Sequence, residues 1–199
     1  MNAADRRSRY IESALGLFIE HGYNGMSMDD LVSAVGGSKA TLYRYFGSKE
    51  DLFSAIVDEL QTVLGGAPPA QDVGDLALAD GLRILGRATA DAALSERAIV
   101  LLRLAVGEQN RFPELARLLF DLAPQRSYER FVAFLELKRE RGEVDFEDAQ
   151  IAAEHFLAGL VGHQQLRMLL VGDKPSPAAV DRRVDAAVRM FLRTYATRQ

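Results

Sequence analysis

No cysteine occurs in this chain of 199 residues, which excludes disulfides and thiolate metal sites and fits a reducing compartment. The spacings of familiar catalytic centres are missing too. There is no His-Glu-x-x-His zinc motif, no Glu-x-x-His iron pair and no Gly-x-Ser-x-Gly elbow, and Glu154 and His155, being adjacent, point to different helix faces. The run GGSKAT at 36–41 bears a surface likeness to a phosphate loop, but it lacks the first glycine at the needed spacing and follows a helix. The chain is therefore read as no enzyme, with no catalytic residue, metal or cofactor to name. No apolar run approaches bilayer length, and MNAADRRSRY lacks the apolar centre of a signal peptide. The expectation is a cytoplasmic chain without a membrane partner. Internal repeats, low-complexity tracts and alternating strand patterns are absent as well.

What is present is apolar periodicity. Nearly half the residues are hydrophobic, enough for one large or two small cores, and every long periodic segment has the helical period. This predicts an all-α fold of about nine helices. A first helix near Arg6 to Gly22 carries Ile11, Ala14, Leu15, Phe18 and Ile19 on its apolar side. A helix opened by Ser48 runs through Leu52, Phe53, Ile56, Val57 and Leu60 to Leu64, the length of a connector (48–64). GGAPPAQDVGD, at 65–75, is the clearest break. Later helices are expected near Leu76 to Ala93 and Ser95 to Asn110, and others are opened by Pro113, Pro124 and Asp148. The last, from Ser176 to Thr197, starts with a cap and a first-turn proline, Ser176-Pro177.

The densest signal lies in SMDDLVSAVGGSKATLYRYFGSK, residues 27–49. Ser27 with Asp30, and Ser48 with Asp51, are capping-box variants with Asp in place of Glu. Gly36 and Gly37 supply the positive φ of a sharp turn, and Ser38 caps the helix after it. Leu31, Val32, Val35, Leu42 and Phe46 can share a core. On the second helix Lys39 and Tyr43 share one stripe and Ala40 and Arg44 the next, so with Thr41 they make a cationic, hydrogen-bonding, partly aromatic surface suited to a major groove. Lys49, at the start of the next helix, is placed to grip a phosphate. This is the outline of a helix-turn-helix reader of double-stranded DNA.

With the helix before it, the stretch resembles the TetR family of transcriptional repressors. Phe18, Gly22, Ser27, Leu31, Ala34, Gly36, Ser38, Thr41, Leu42, Tyr43, Tyr45, Phe46, Lys49 and Leu52 carry the likeness. The resemblance implies that Met28 and Asp29 approach the DNA backbone, that Lys39, Ala40 and Thr41 face base edges, and that Tyr43, Tyr45 and Lys49 hold phosphates. Gly37 departs from the family's usual valine-like residue. FPELARLLF, RGEVDFEDAQIAAEHFLAGLVG and AAVRMFLRTYA resemble one subgroup of TetR C-terminal domains, so the likeness spans nearly the whole chain. It implies a reader at 1–50 and a ligand-binding, dimerising body at 51–199: a homodimeric repressor of palindromic operators, released by a small-molecule effector. Two rivals of other classes remain, a helical ligand-binding protein acting through protein partners with a vestigial reader, and a small all-α enzyme.

The last helices carry two apolar stripes, Phe156, Leu160, His163 and Leu166 on one and Val180, Val184, Ala187, Val188, Phe191 and Tyr195 on the other, with Gly159 and Gly162 permitting close approach. Phe156, Gly159, Leu160, Val184, Val188 and Phe191 are the expected dimer interface, because a helix-turn-helix reader needs a twofold partner to span two half-sites. Their plainer reading is intramolecular core. The effector pocket implied by the resemblance has polar candidates in Arg103, Gln109, Asn110, His155 and His163, with Phe112 as an aromatic wall. The plainer reading of either histidine is a satisfied core or interface group, and of Phe112 and Phe120, core. Lys138, Arg139 and Arg141, mixed with Glu136, Glu140 and Glu143, read as a solvated face. The net charge of −4 falls outside the first fifty residues, where Arg6, Arg7, Arg9, Lys39, Arg44 and Lys49 balance the acids. A locally basic face on an acidic body is expected.

Overall fold

The computed structural model describes residues 3–63 and 68–197. Among them the fold is all-α, without a named strand. The helices are α1 (Ala3–Gly25), α2 (Met28–Val35), α3 (Lys39–Tyr45), α4 (Lys49–Val63), α5 (Ala70–Gly74), α6 (Leu78–Ala93), α7 (Glu96–Glu108), α8 (Pro113–Phe120), α9 (Arg126–Glu140), α10 (Ala149–Leu157), α11 (His163–Leu170) and α12 (Pro177–Tyr195). Single π turns, Asp121–Gln125 and Ala158–Gly162, join α8 to α9 and α10 to α11, giving ten continuous helices among the described residues. α5 is additional, lying inside the expected break and burying Ala70 and Val73 three positions apart, while α8 and α9, expected as separate helices, run on through the first π turn. Pro124, expected to open a helix, sits within the first π turn instead. Leu64, Gly65 and Gly66 and the side chain of Leu60 lie outside the described residues.

The chain forms two compact units, residues 1–60 with 100–122, and 61–99 with 123–199. In the first, Tyr10, Ile11, Ala14 and Phe18 recur at helical spacing on α1 and are buried with Leu31, Leu42, Leu52 and Phe53. The Phe18 ring lies 5.2 Å from Tyr23 and 6.1 Å from Phe53, and Tyr10 lies 6.4 Å from Phe46. Gly22, at φ 71°, breaks α1 where the sequence placed its stop. Segment 100–122 joins this unit, with Phe112 5.1 Å from Tyr23.

In the second unit α6, α9, α10 and α12 surround a core that includes Leu82, Leu85, Phe131, Phe134, Phe156, Leu160, Val184, Val188 and Phe191. Phe131 and Phe156 stack at 4.6 Å, and Phe191 meets Phe156 edge-on at 5.8 Å. The five large side chains expected at a dimer interface, Phe156, Leu160, Val184, Val188 and Phe191, are thus buried within one chain and unavailable to a second copy. Of the expected set only Gly159 is exposed. Phe120, expected in the core, is 55% exposed.

Lys138 corrects the solvated-face expectation. It continues the buried stripe of Phe131, Phe134 and Leu135 and is 1% exposed. Its ammonium donates to the Leu76 carbonyl at 2.6 Å and to both Glu143 carboxylate oxygens at 2.9 and 3.1 Å. A charge is tolerated there because these acceptors replace its water. Lys138→Ala is expected to lower the unfolding free energy by about 3 kcal/mol, measured as a urea midpoint shift. A loss below about 1 kcal/mol would show that water substitutes for the lysine.

Candidate nucleic-acid interface

Local chemistry builds the α2–turn–α3 segment as the spacing predicts. Ser27 Oγ accepts from the Asp30 N–H at 3.1 Å while Asp30 Oδ2 accepts from the Ser27 N–H at 2.8 Å, a reciprocal box. The Ser27 hydroxyl, donating to Asp30 Oδ2 at 2.7 Å, and then the Ser27 N–H hold the Asp30 carboxyl below the usual carboxylate range, so this stabilisation is fully present above the ordinary carboxylate pKa and is lost progressively as pH falls from there through the lowered one. Ser38 Oγ accepts from the Thr41 N–H at 3.2 Å and Ser48 Oγ from the Asp51 N–H at 3.0 Å. Both turn glycines have positive φ, 80° at Gly36 and 107° at Gly37, and the Tyr10 hydroxyl ties the turn to α1 by donating to the Gly36 carbonyl at 3.1 Å.

That geometry explains the departure at Gly37. A Cβ there would lie 3.0 Å from Tyr10 Oη, on a backbone that β-branched residues avoid. Gly37→Val is expected to lower the stability of the segment by about 1–3 kcal/mol, visible in its amide exchange. Unchanged protection of the α2 and α3 amides would show that the turn rearranges freely.

On α3, Leu42 is buried while Lys39, Ala40, Tyr43 and Arg44 are exposed, so one cationic and phenolic face is open to solvent. The other candidates are more constrained. Thr41 is half-buried, its hydroxyl 3.0 Å from Ser38 Oγ. Tyr45 is half-buried against Tyr10 at 6.1 Å, with the Arg44 guanidinium 5.7 Å from its ring centre. The Met28 side chain is buried, leaving its backbone as the group it could offer a duplex.

Lys49 differs most from expectation. Its ammonium donates to the Met26 carbonyl and lies 4.5 Å from the centre of the Tyr23 ring, an inward direction rather than an open phosphate grip. Burial holds its pKa below the ordinary lysine range, against the opposing pull of Glu50, Glu108 and Asp30. The Tyr23 hydroxyl is pushed the other way, upward, by burial and then by Glu50 and Glu114. Capping rules locate Lys49 at a helix start but not the rotamer that aims it. Sequence reasoning also missed the ion pair between Lys39 Nζ and Asp29 Oδ2, 2.7 Å apart across the turn.

The six effector candidates divide between the units. Arg103, Gln109, Asn110 and Phe112 belong to the first, and His155 and His163 to the second. Arg103, Gln109, Asn110 and both histidines are exposed, and Phe112 packs on Tyr23 as part of its own unit. His155 alone among them lines a described groove, of about 110 Å³, with Phe156, Met190, Phe191 and Tyr195, where its Nδ1 is 3.0 Å from Tyr195 Oη. No group of three or more metal-ligating side chains is assembled, and no helix is long and apolar enough to cross a membrane, among the described residues.

Comparison with known proteins matches residues 80–197 to the AefR-like transcriptional repressor C-terminal domain, and residues 11–56 to bacterial regulatory proteins of the tetR family. The chain belongs to the TetR family of transcriptional regulators. The HTH-type transcriptional repressor AcnR of Corynebacterium diphtheriae is 28% identical over 187 residues, 92% of each chain. ComR, an HTH-type transcriptional repressor of Escherichia coli, is 44% identical over 52 residues, but this stretch is 26% of the present chain and 25% of ComR. Among solved structures, the Flavonoid-responsive Regulator FrrA superimposes with a TM-score of 0.79 at 30% identity, covering 99% of this chain and 100% of FrrA. The TetR frame places α2 and α3 as the helix-turn-helix of this regulator, within the N-terminal match.

Proposed function

We propose that this TetR-family regulator acts as a homodimeric repressor, reading a palindromic operator with α3 of each copy and leaving it when a small molecule binds. The observation that carries the reading is the open face of Lys39, Ala40, Tyr43 and Arg44 on a helix opened by the Ser38 cap and closed by the Phe46 N–H donating to the Leu42 carbonyl. Base-edge contact falls to Lys39 and Ala40, and phosphate contact to Tyr43 and Arg44. Ser27, Ser38, Thr41 and Tyr45 support that face through the caps and the α1 contact, and Lys49 adds a phosphate contact only after leaving Met26. Repression draws support from the repressors AcnR and ComR. Release by a small molecule draws support from FrrA, whose name describes a response to flavonoids.

Pairing is proposed through the apolar side chains left exposed on the last helices. Ile151, Leu166, Leu170 and Val171 on the α10–α11 side and Met190 on α12 are large and exposed, with Gly159 and Gly162 among them. An exposed apolar stripe of this kind favours association with a like surface. An effector that prefers the copy spacing unsuited to the operator would lower DNA affinity by a coupling of about 1–3 kcal/mol.

Selection of duplexes from a random pool by the purified regulator tests the reading. Enrichment of one palindrome, with Lys39→Ala relaxing the preference at single positions and Tyr43→Phe weakening all duplexes alike, supports it. Recovery of unenriched sequences refutes it.

A further inference from the structure

Two acids open α2, and only one of them is needed to cap it. Asp30 closes the box with Ser27, whereas the Asp29 carboxylate reaches across the Gly36–Gly37 turn to Lys39 Nζ at 2.7 Å. Lys39 is the first residue of α3 and a candidate base reader. Both side chains are largely exposed, so the pair contributes little to stability and can exchange partners readily. Its consequence is electrostatic. Non-specific complexes are held by lysines and arginines that neutralise phosphates and release counterions. An ammonium already bonded to a carboxylate adds almost nothing to that term.

We propose that Asp29 is a specificity-determining positioning residue, holding Lys39 away from indiscriminate phosphate contact and yielding it to a base acceptor in the correct site. The inference rests on the DNA reading above. At a matched site, guanine N7 and O6 present two acceptors in fixed positions, which together offset the loss of the single carboxylate oxygen. On arbitrary DNA that replacement is missing, and the Asp29 pair persists. Asp29 thereby widens the ratio of specific to non-specific affinity, the quantity that governs site choice against an excess of competing DNA.

The test compares wild type, Asp29→Asn, Asp29→Ala, Lys39→Ala and the Asp29→Asn/Lys39→Ala double variant. Each full-length protein is titrated with the palindrome selected by wild type and with a scrambled duplex, from 50 to 200 mM salt. In both Asp29 variants, scrambled-duplex affinity is expected to rise on the order of tenfold at low salt, and the log–log salt slope to steepen by about 0.9. Palindrome affinity is expected to rise less, and the gain to vanish in the Lys39→Ala background. A helix-capping role for Asp29 would move thermal midpoints and both duplexes together without a change of slope, which overturns the proposal. A gain that survives removal of Lys39 overturns it as well, since Asp29 would then act only as a repelling charge. Failure of wild type to select any duplex overturns the DNA reading itself, a result separable from either of these.

Discussion

Replacing Phe156 with alanine is expected to lower the unfolding free energy of the regulator by about 3–5 kcal/mol. The ring is 3% exposed, stacked on Phe131 at 4.6 Å and met edge-on by Phe191 at 5.8 Å. Truncation removes its transfer free energy and leaves a void bounded by two other rings, which can collapse only in part. Because the ring serves the interior of one chain, the loss should be the same in a variant that no longer dimerises. Urea unfolding followed by circular dichroism measures it. A loss below about 1 kcal/mol, or one that disappears in the monomeric background, would return Phe156 to the interface where its spacing first placed it.

The second large effect belongs to the opposite face. Leu166 and Leu170, 53% and 73% exposed, lie one helical turn apart on α11. The double variant Leu166→Arg/Leu170→Arg should change the stability of the single chain little, within about 0.5 kcal/mol per exposed site, yet place four like charges across a twofold interface. The proposed dimer should separate in sedimentation. Affinity for the palindrome should fall by about 10² to 10⁴, the advantage lost when two linked readers become independent, while binding to an isolated half-site is retained. A variant that stays dimeric with unchanged operator affinity would exclude this stripe as the pairing surface.

Legibility in the sequence followed the range of the interactions. Ser27 with Asp30, Ser38 with Thr41 and Ser176 with Pro177 were readable because capping acts over a few residues of chain, and Gly36 with Gly37 because positive φ favours glycine. The open side of α3 was readable because Leu42 and Phe46 mark its buried side. Lys138 was missed although it extends the stripe of Phe131, Phe134 and Leu135, since the acceptors that admit its charge, Leu76 and Glu143, come from outside α9.

The dimer stripe failed for a subtler reason. Phe156, Leu160, His163 and Leu166 follow an unbroken helical period, but the π turn at Ala158–Gly162 adds a residue and shifts the phase. Met168 therefore continues the buried side after Leu160, and His163 and Leu166 turn to solvent. Lys49 shows another limit: its position is set by local caps, its direction by Tyr23 and Met26, which only the folded chain brings to it.

The most direct measurement of the central claim is the stoichiometry and sequence preference of the purified regulator on the palindrome it selects from random DNA. Two chains should bind one duplex, protecting two half-sites about one helical turn or a multiple apart, with the Lys39→Ala protein losing preference at matched positions in both halves. Binding by a single chain, or binding in which Lys39→Ala and wild type discriminate equally among sequences, would contradict the account.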